Sequence, residues 1–558
     1  MRYHILCKSG IISTVLMIGG VGLNGKQQTV IAGATVLGIT GIICKIIAVL
    51  YRIPLAWMIG DHGLGTYQLI FPTYNLLLTI SSAGLPVAIS RIVSYNLAKG
   101  DIRNTRRTFK SALVILSTVG VVGTILIIAF HTFLSQRVGN PETMAGFIAI
   151  APAVAIVCTM SAFRGYMQGQ QNMLPTAISQ LIEQVGKIII ALPFAYLGSQ
   201  IGIAESGEMN IGYAVAGALL GTSIAEAIAL LYMIFVYHRK RHDMDSYMQN
   251  ETIAVQPWRQ INRRLMSYAI PITIGACIIP LASFIDSGMI VNRLVGGAGF
   301  LLDDAVAMYG RFSGYVITLI NVPTALALAI SMSMVPAISS NVARKDTAAI
   351  KRSTYAGLRM AFLIGLPCSF GMSILAKPIL SMVYPFSSPE ALDQTAMLLS
   401  FSGFTIILFT VVQATSGILQ GLQKQKIPMF TLMIGVCLKV IINYTLIATP
   451  EINILGASIG SLVCYGTSMV PNLYYVHKYT GLKWDPLHIF FKPLLVSAAM
   501  AGVLYALMAV LPEGRLVTAA LILIGIAVYA ALSFLFGTLK KEDIQPFLKR
   551  LKHKSRRA

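Results

Sequence analysis

The sequence predicts an all-α polytopic membrane protein of about fourteen transmembrane helices, and three observations predict it. Of the 558 residues, 56% are apolar and only 11% charged, less than half the charge of a soluble chain, which carries about 25%. Apolar runs recur from end to end, each long enough to cross ~30 Å of hydrocarbon as a helix. Lys and Arg gather in alternate loops between those runs. Barrel strands would be shorter and would alternate, and these runs do neither. A soluble enzyme of several domains is excluded.

The elements follow in order. In Met1–Leu23, Arg2 and Lys8 precede a short apolar run, as in a signal peptide. No small-x-small cleavage site follows, and Gly19, Gly20, Gly22 and Gly25 weaken a helix. Residues 1–25 are therefore read as a leader and not as a fifteenth span. Spans fall near 28–51, 67–97, 109–131, 143–163, 174–198 and 211–237, forming an N-terminal lobe over 26–240. A cytoplasmic linker, 241–264, leads to a C-terminal lobe over 265–480 with spans near 266–290, 306–336, 355–380, 395–418, 427–449 and 454–476. Spans 13 and 14, near 490–511 and 515–538, occupy 481–540. A basic tail, 541–558, is expected to lie against anionic headgroups.

An even number of spans puts both termini on one side. With Arg52 counted inside its span and the span-end residues Lys110, Lys492 and Arg515 counted with the loops they adjoin, the loops and tail assigned to the cytoplasm hold 29 Lys and Arg, and the opposite loops only Arg137, Arg293 and Arg515. This orients both termini toward the cytoplasm, in a multi-pass protein of the cell membrane. The net charge of +22 thus marks inward loops, with no nucleic-acid partner. Seven cysteines (Cys7, Cys44, Cys158, Cys277, Cys368, Cys437, Cys464) lie singly in or beside apolar runs and read as small core residues, not disulfides or metal ligands.

The two lobes repeat. Gly165-Tyr-Met-Gln-Gly-Gln-Gln-Asn-Met-Leu-Pro175 parallels Gly417-Ile-Leu-Gln-Gly-Leu-Gln-Lys-Gln-Lys-Ile-Pro428, and Lys187 and Lys439 each fall 22 residues after the first glycine. Phe71-Pro-Thr with Leu85-Pro-Val-Ala-Ile-Ser90 parallels Val322-Pro-Thr with Val335-Pro-Ala-Ile-Ser339. Six helices therefore repeat once in the same orientation, as transporters often do, and rocking of two lobes follows as an expected cycle.

Charge inside spans is costly, ~2.5–3.5 kcal/mol on insertion scales, and marks cavities or mutual pairing. Span 1 carries Lys45 and Arg52 on one face with Gly38, Gly41 and Ala48. Arg52 can also snorkel to the interface. Span 5 carries the stripe Gln180, Glu183, Gln184 and Lys187, which either lines a cavity or closes on itself as a Glu183–Lys187 pair. Span 11 carries Lys439 and Asn443 with no carboxylate nearby in sequence. Span 7 carries Ser283, Asp286 and Ser287, with Arg293 seven residues after Asp286, the spacing of Lys45 and Arg52. Glu226 reads as a helix-packing or protonated acid, and Arg91, Arg164, Arg311 and Arg359 as interfacial anchors. The excess of cations suits an anion such as desolvated phosphate. No catalytic set, metal motif or phosphate loop appears; Gly60-Asp-His-Gly-Leu-Gly65 is a turn between spans.

Gly-Leu-Gly-Thr-Tyr and Gly-Leu-Pro-Val-Ala-Ile-Ser within Gly60–Ser90, with Ile285-Asp286, resemble the polysaccharide-biosynthesis/stage V sporulation protein B family. That family is related to the lipid II flippase MurJ in the MOP (multidrug/oligosaccharidyl-lipid/polysaccharide) exporter superfamily. The resemblance covers about residues 26–540 and implies two six-helix lobes in a V, with two added helices forming a groove for a polyprenyl tail. It implies a flippase, not an enzyme, that moves undecaprenyl-pyrophosphate-linked saccharides across the membrane without a cofactor, among membrane lipids and in reach of the cell-wall synthesis machinery. In the lipid II flippases a span 1 arginine is followed by an Arg-Asp pair. Here Lys45 and Tyr51-Arg52 stand in those places, so the acidic partner is missing, and the span 2 arginine falls among the apolar Tyr74–Leu78.

The expected function is flipping of such a lipid-linked precursor, foremost the peptidoglycan precursor lipid II. Lys45, Arg52, Lys187, Arg293 and Lys439 would meet the pyrophosphate. Gln180, Glu183, Gln184, Asp286 and Asn443 would line the cavity or sense ions, with Asp286 and Glu183 pairing with the cations when it is empty. The alternatives are a flippase for another surface polysaccharide unit and a drug/cation antiporter of the same superfamily, which wants an acid-rich cavity. A glycan polymerase would need large outer loops that this chain lacks, and a pure scaffold leaves the buried cations unexplained.

Overall fold

The computed structural model of the chain describes residues 25–206, 210–245, 254–482 and 485–538. The leader through residue 24, the middle of the linker and the basic tail lie outside the described residues. Among the described residues every regular element is a helix. The first compact unit ends at Gly314. It holds α1 (Gly25–Ser82), α2 (Gly84–Ala98), α3 (Ile102–Ala129), α4 (His131–Val138), α5 (Thr143–Gly169), α6 (Leu174–Gly186), α7 (Leu192–Ser206), α8 (Ile211–Asp245), α9 (Trp258–Ala276), α10 (Ile278–Gly296) and α11 (Leu302–Tyr309). The second unit begins at Tyr315. It holds α12 (Ile317–Ala343), α13 (Thr347–Ile374), α14 (Ala376–Val383), α15 (Pro389–Gly403), α16 (Thr405–Gly421), α17 (Lys426–Leu446), α18 (Leu455–Thr480), α19 (Lys492–Val510) and α20 (Arg515–Leu535). Widened π turns occupy Lys187–Ala191, Gly310–Val316 and Leu487–Phe491.

Twelve helical segments among the described residues are long and apolar enough to cross a membrane. The first, Val36–Ala98, has 63 residues, about 95 Å at 1.5 Å per residue and three times the hydrocarbon thickness, so it holds two crossings. The 26-residue α18 supplies the fourteenth. The outer face is apolar, as lipid requires: Leu495, Val510, Leu516 and Leu523 of α19 and α20 are exposed.

Breaks in the helices have local causes. α1 is interrupted at Gly60, whose φ of 68° and ψ of −173° suit glycine and strain any other residue. Close packing follows at once. A Cβ on Gly65 would lie 2.1 Å from the Val306 carbonyl oxygen, and one on Gly310 would lie 2.0 Å from that of Asp61. The segment read as a turn is instead a kink at Gly60 followed directly by helix, and it forms the junction of α1 with α11. Span 7, expected as one helix, is two: α9 and α10 meet at Cys277. Pro280 has no N–H to give to the Ala276 carbonyl, so the ladder is interrupted there.

The repeat extends to the backbone. Gln171 and Gln423, each six residues after the matched glycine, both take left-handed φ, 58° and 61°. Both turns close with the same bonds: Gln171 and Gln423 donate three residues back, to the Gln168 and Gln420 carbonyls, at 2.9 Å. α3 and α13 begin alike, with the Asp101 carboxylate accepting from the Asn104 N–H and that of Asp346 from the Ala349 N–H, each at 2.9 Å. Each unit has its own apolar core. Phe109 meets Phe163, Tyr166 and Tyr237 in the first, and Leu358, Phe362, Val411 and Ile418 pack together in the second.

Candidate functional site

In the first unit α6 packs against α1 and α8, and a charged cluster forms where they meet. A Cβ on Gly186 would stand 2.7 Å from that of Ala225, which brings α6 close to α8 beside Glu226. Gln180, Glu183 and Gln184 on α6 and Lys187 at its π turn are all half-buried. The Glu183 carboxylate accepts from Arg164 Nη2 at 2.8 Å, and Arg164 Nε donates to Ser179 Oγ at 2.9 Å. Of the two readings of this stripe, the internal Glu183–Lys187 pair is not made among the described residues. The planar fork of Arg164, reaching from α5, matches two acceptors four residues apart on one face of α6. Arg164 is accordingly no interfacial anchor, and Glu183 pairs with it and not with the cations proposed for substrate.

Glu226, buried on α8, accepts a hydrogen bond from Tyr74 Oη of α1, and its Oε2 has no hydrogen-bond partner. Lys187, Glu183 and Arg164 act electrostatically on Glu226, and the same three act on Cys44 of α1. Helices α5, α6 and α8 thus bring Arg164, Glu183, Lys187 and Glu226 together, with Tyr74 of α1 beside them.

Lys45, next to Cys44, is half-buried and makes no ion pair or hydrogen bond among the described residues; the same holds for Lys187. Gln180 and Gln184 also make no hydrogen bond among them. Arg52 lies farther along α1, its Cζ 6.0 Å from the Phe71 ring centroid. On α10, Asp286 is buried near Tyr309 of α11 and Arg293 is half-buried.

The second unit treats its candidates differently. Asn443 on α17 is fully buried and Lys439 half-buried. A Cβ on Gly460 of α18 would stand 2.0 Å from Asn443 Oδ1 and 3.2 Å from Lys439 Cγ, so both side chains lie across a notch in α18.

A second polar cluster sits at the Gly60 end of the first unit. Arg311 Nη1 lies 3.3 Å from Asp61 Oδ2, so Arg311 is an interhelical tie and not an interfacial anchor. His62 Nε2 bonds Glu142 Oε2 at 2.8 Å, and Thr66 donates to the same oxygen at 3.2 Å. Burial alone would raise the Glu142 carboxyl, but bonding to His62, Thr66 and Asn140 holds it below its ordinary value. Sequence reasoning missed the roles of Arg164, Tyr74 and Glu142. The signal for Arg164 was its place just before the Gln-Gly turn, one helix from the Glu183 stripe. No sequence signal joins His62 to a residue 80 positions away. Among the described residues no group of three His, Cys, Asp or Glu could hold a metal.

The architecture is similar to that of solved membrane transporters of the MOP superfamily, one of them 15% identical with a TM-score of 0.64. It matches the solved structure "Lipid II flippase MurJ, inward closed conformation" with a TM-score of 0.67 and 14% identity, covering 90% of this chain and 98% of that one. A family model described as MatE matches residues 271–445. The model of the polysaccharide biosynthesis protein family matches residues 30–342, and the chain belongs to that family. Stage V sporulation protein B of Bacillus subtilis (strain 168) is 26% identical over 94% of this chain and 99% of its own length. Lipid II flippase MurJ of the same organism is 26% identical over 86% of this chain and 88% of its own. The chain is a multi-pass membrane protein of that family, and the MurJ proteins it resembles are flippases.

Proposed function

We propose that the protein is a flippase moving an undecaprenyl-pyrophosphate-linked saccharide, foremost lipid II, from the inner to the outer leaflet of the cytoplasmic membrane. Transport would proceed by alternating access, with both termini cytoplasmic. The observation that carries the reading is the pair Lys45 and Lys187. Two half-buried ammonium groups on packed helices, neither in an ion pair among the described residues, carry a desolvation cost that is only partly relieved by the acids near Lys187 and that a pyrophosphate would offset. Arg52 and Arg293 are proposed as further cations of the first unit, and Lys439 as the substrate cation of the second. Gln180 and Gln184, without hydrogen-bond partners among the described residues, face water or sugar hydroxyls in this reading. The relatedness to a lipid II flippase and to Stage V sporulation protein B over most of their lengths supports the substrate class.

An organic-cation antiporter is disfavoured by the same geometry. Glu183 is engaged by Arg164, which leaves Glu226, bonded only to the neutral phenol of Tyr74, as the one acid of this cluster without a hydrogen-bonded cation, against two lysines. The test is complementation of lipid II flippase depletion by wild type, Lys45→Ala and Arg52→Ala at equal membrane levels. Rescue by wild type and its loss in the variants is the expected outcome. Full rescue by both variants would remove the cationic site, and failure of well-expressed wild type would move the substrate to another polyprenyl-linked glycan.

A further inference from the structure

At the α2–α3–α9 end of the first unit, Arg91, Lys99, Arg107 and Arg264 are held against aromatic rings. Arg91 and Tyr95 stand one turn apart on α2, and Arg264 and Tyr268 one turn apart on α9. The helices are close: a Cβ on Gly84 would sit 2.2 Å from the Ala269 carbonyl oxygen. Across this seam the pairs interlock. Arg91 Cζ lies 4.4 Å from the Tyr268 ring centroid, and Arg264 Cζ lies 4.9 Å from that of Tyr95. Lys99 Nζ shares the Tyr95 ring at 4.5 Å, and Arg107 of α3 sits 4.8 Å from the Trp258 ring at the start of α9.

A salt bridge cancels charge, and a cation–π contact does not. Residues 84–110 and 254–276 hold nine Lys and Arg and a single acid, Asp101. That carboxylate is committed to the backbone and side-chain amides of Asn104. The positive charge therefore remains at the surface: Arg91, Lys99, Arg259 and Arg263 are exposed, beside the exposed rings of Tyr95 and Trp258. Cations interleaved with half-wet aromatic rings are the side-chain chemistry of the bilayer headgroup layer. The surface is also held in place. Asn104 donates to the Ala254 carbonyl at 3.0 Å and accepts from the Gln256 N–H at 2.8 Å, tying the segment that enters α9 to α3.

We propose that this seam binds the phosphate headgroups of acidic phospholipids in the leaflet it faces. The lipid phosphates neutralise charges that the protein leaves uncancelled, and they brace α9 against α2 and α3. This role is separate from carriage of the substrate, because it involves none of Lys45, Arg52, Lys187 or Arg293.

The test follows the unfolding midpoint of the full-length protein in neutral detergent on titration with phosphatidylglycerol, phosphatidylcholine or inorganic phosphate. Phosphatidylglycerol is expected to raise the midpoint saturably, and the other two to leave it unchanged. Arg259→Gln/Arg263→Gln keeps every ring contact, and should weaken the apparent phosphatidylglycerol affinity by about five-fold per cation removed. Arg91→Gln/Arg264→Gln should weaken it at least as far and also lower the lipid-free midpoint. If this second variant does not fold, the first decides alone. An unchanged phosphatidylglycerol response in the variants, or an equal response to phosphatidylcholine or to inorganic phosphate, overturns the proposal.

Discussion

The fifth and eleventh spans are repeat mates, and they use the same place in opposite ways. Both follow a Gln-Gly turn with a left-handed glutamine, and both carry a lysine at the matched position. On α6 that lysine joins Arg164, Glu183 and Glu226. At the matched places of the second unit, Ser416 stands for Arg164 and Gly435 for Glu183. The effect is visible in the packing, since a Cβ on Gly435 would stand 2.4 Å from the Cys464 carbonyl oxygen of α18. One copy of the repeat holds an ion pair, and the other closes a helix–helix contact. Duplication conserved the scaffold, and side-chain exchange divided the chemistry.

The largest expected effect breaks the charged copy. Arg164→Gln leaves Glu183 half-buried without its partner, and should cost about 3–5 kcal/mol, read as a lower unfolding midpoint. Arg164→Met/Glu183→Met should recover most of that loss. Equal damage from the single and the double variant would show that Arg164 acts otherwise than by compensating Glu183.

Next comes the comparison of the two lysines. Lys187→Ala should lower flipping by about 10- to 100-fold at equal membrane level, the scale of one charge-assisted hydrogen bond of ~1.5–3 kcal/mol. Lys439→Ala, whose stem lies in the α18 notch, should lower it less. Equal losses in a reconstituted flipping assay would mean that the two copies serve the substrate alike.

On the packing side, Gly435→Ala pushes a methyl against backbone, which no rotamer change relieves. It should cost about 1–3 kcal/mol of stability, seen in thermal unfolding of the purified protein. A neutral result would mean that α17 and α18 can separate without penalty.

The smallest effect lies at the Gly60 junction. The Glu142 carboxyl is held below its ordinary value, so its contribution is present above the unfolded carboxylate pKa of ~4.3 and is lost as pH falls through the lower folded value. Glu142→Gln should flatten part of the acid-side loss of stability in a pH series of unfolding midpoints. The shift is small because the Glu142 side chain is 39% exposed.

Why the fold was legible and the site only partly so has a physical reason. Span length and loop charge are one-dimensional properties, so fourteen crossings and the repeat could be read directly. The break of span 7 was also written, in Pro271 and Pro280, but a hydropathy window averages over it. Side-chain partners are three-dimensional. The i, i+4 spacing of Glu183 and Lys187 allowed a pair within α6, and an arginine one loop earlier in the chain takes the carboxylate instead. Lys45 shows the opposite case, since its isolation in the sequence, with no carboxylate one turn away, persists in the fold.

The central claim is that Lys45 and Lys187 hold an anion. The most direct measurement is the affinity of the purified full-length protein for lipid II, comparing wild type with Lys45→Gln and Lys187→Gln and using neutral polyprenol as the anion-free control. The account predicts that each substitution weakens lipid II binding about ten-fold or more while polyprenol binding is unchanged. Lipid II binding unaltered by both substitutions would contradict it.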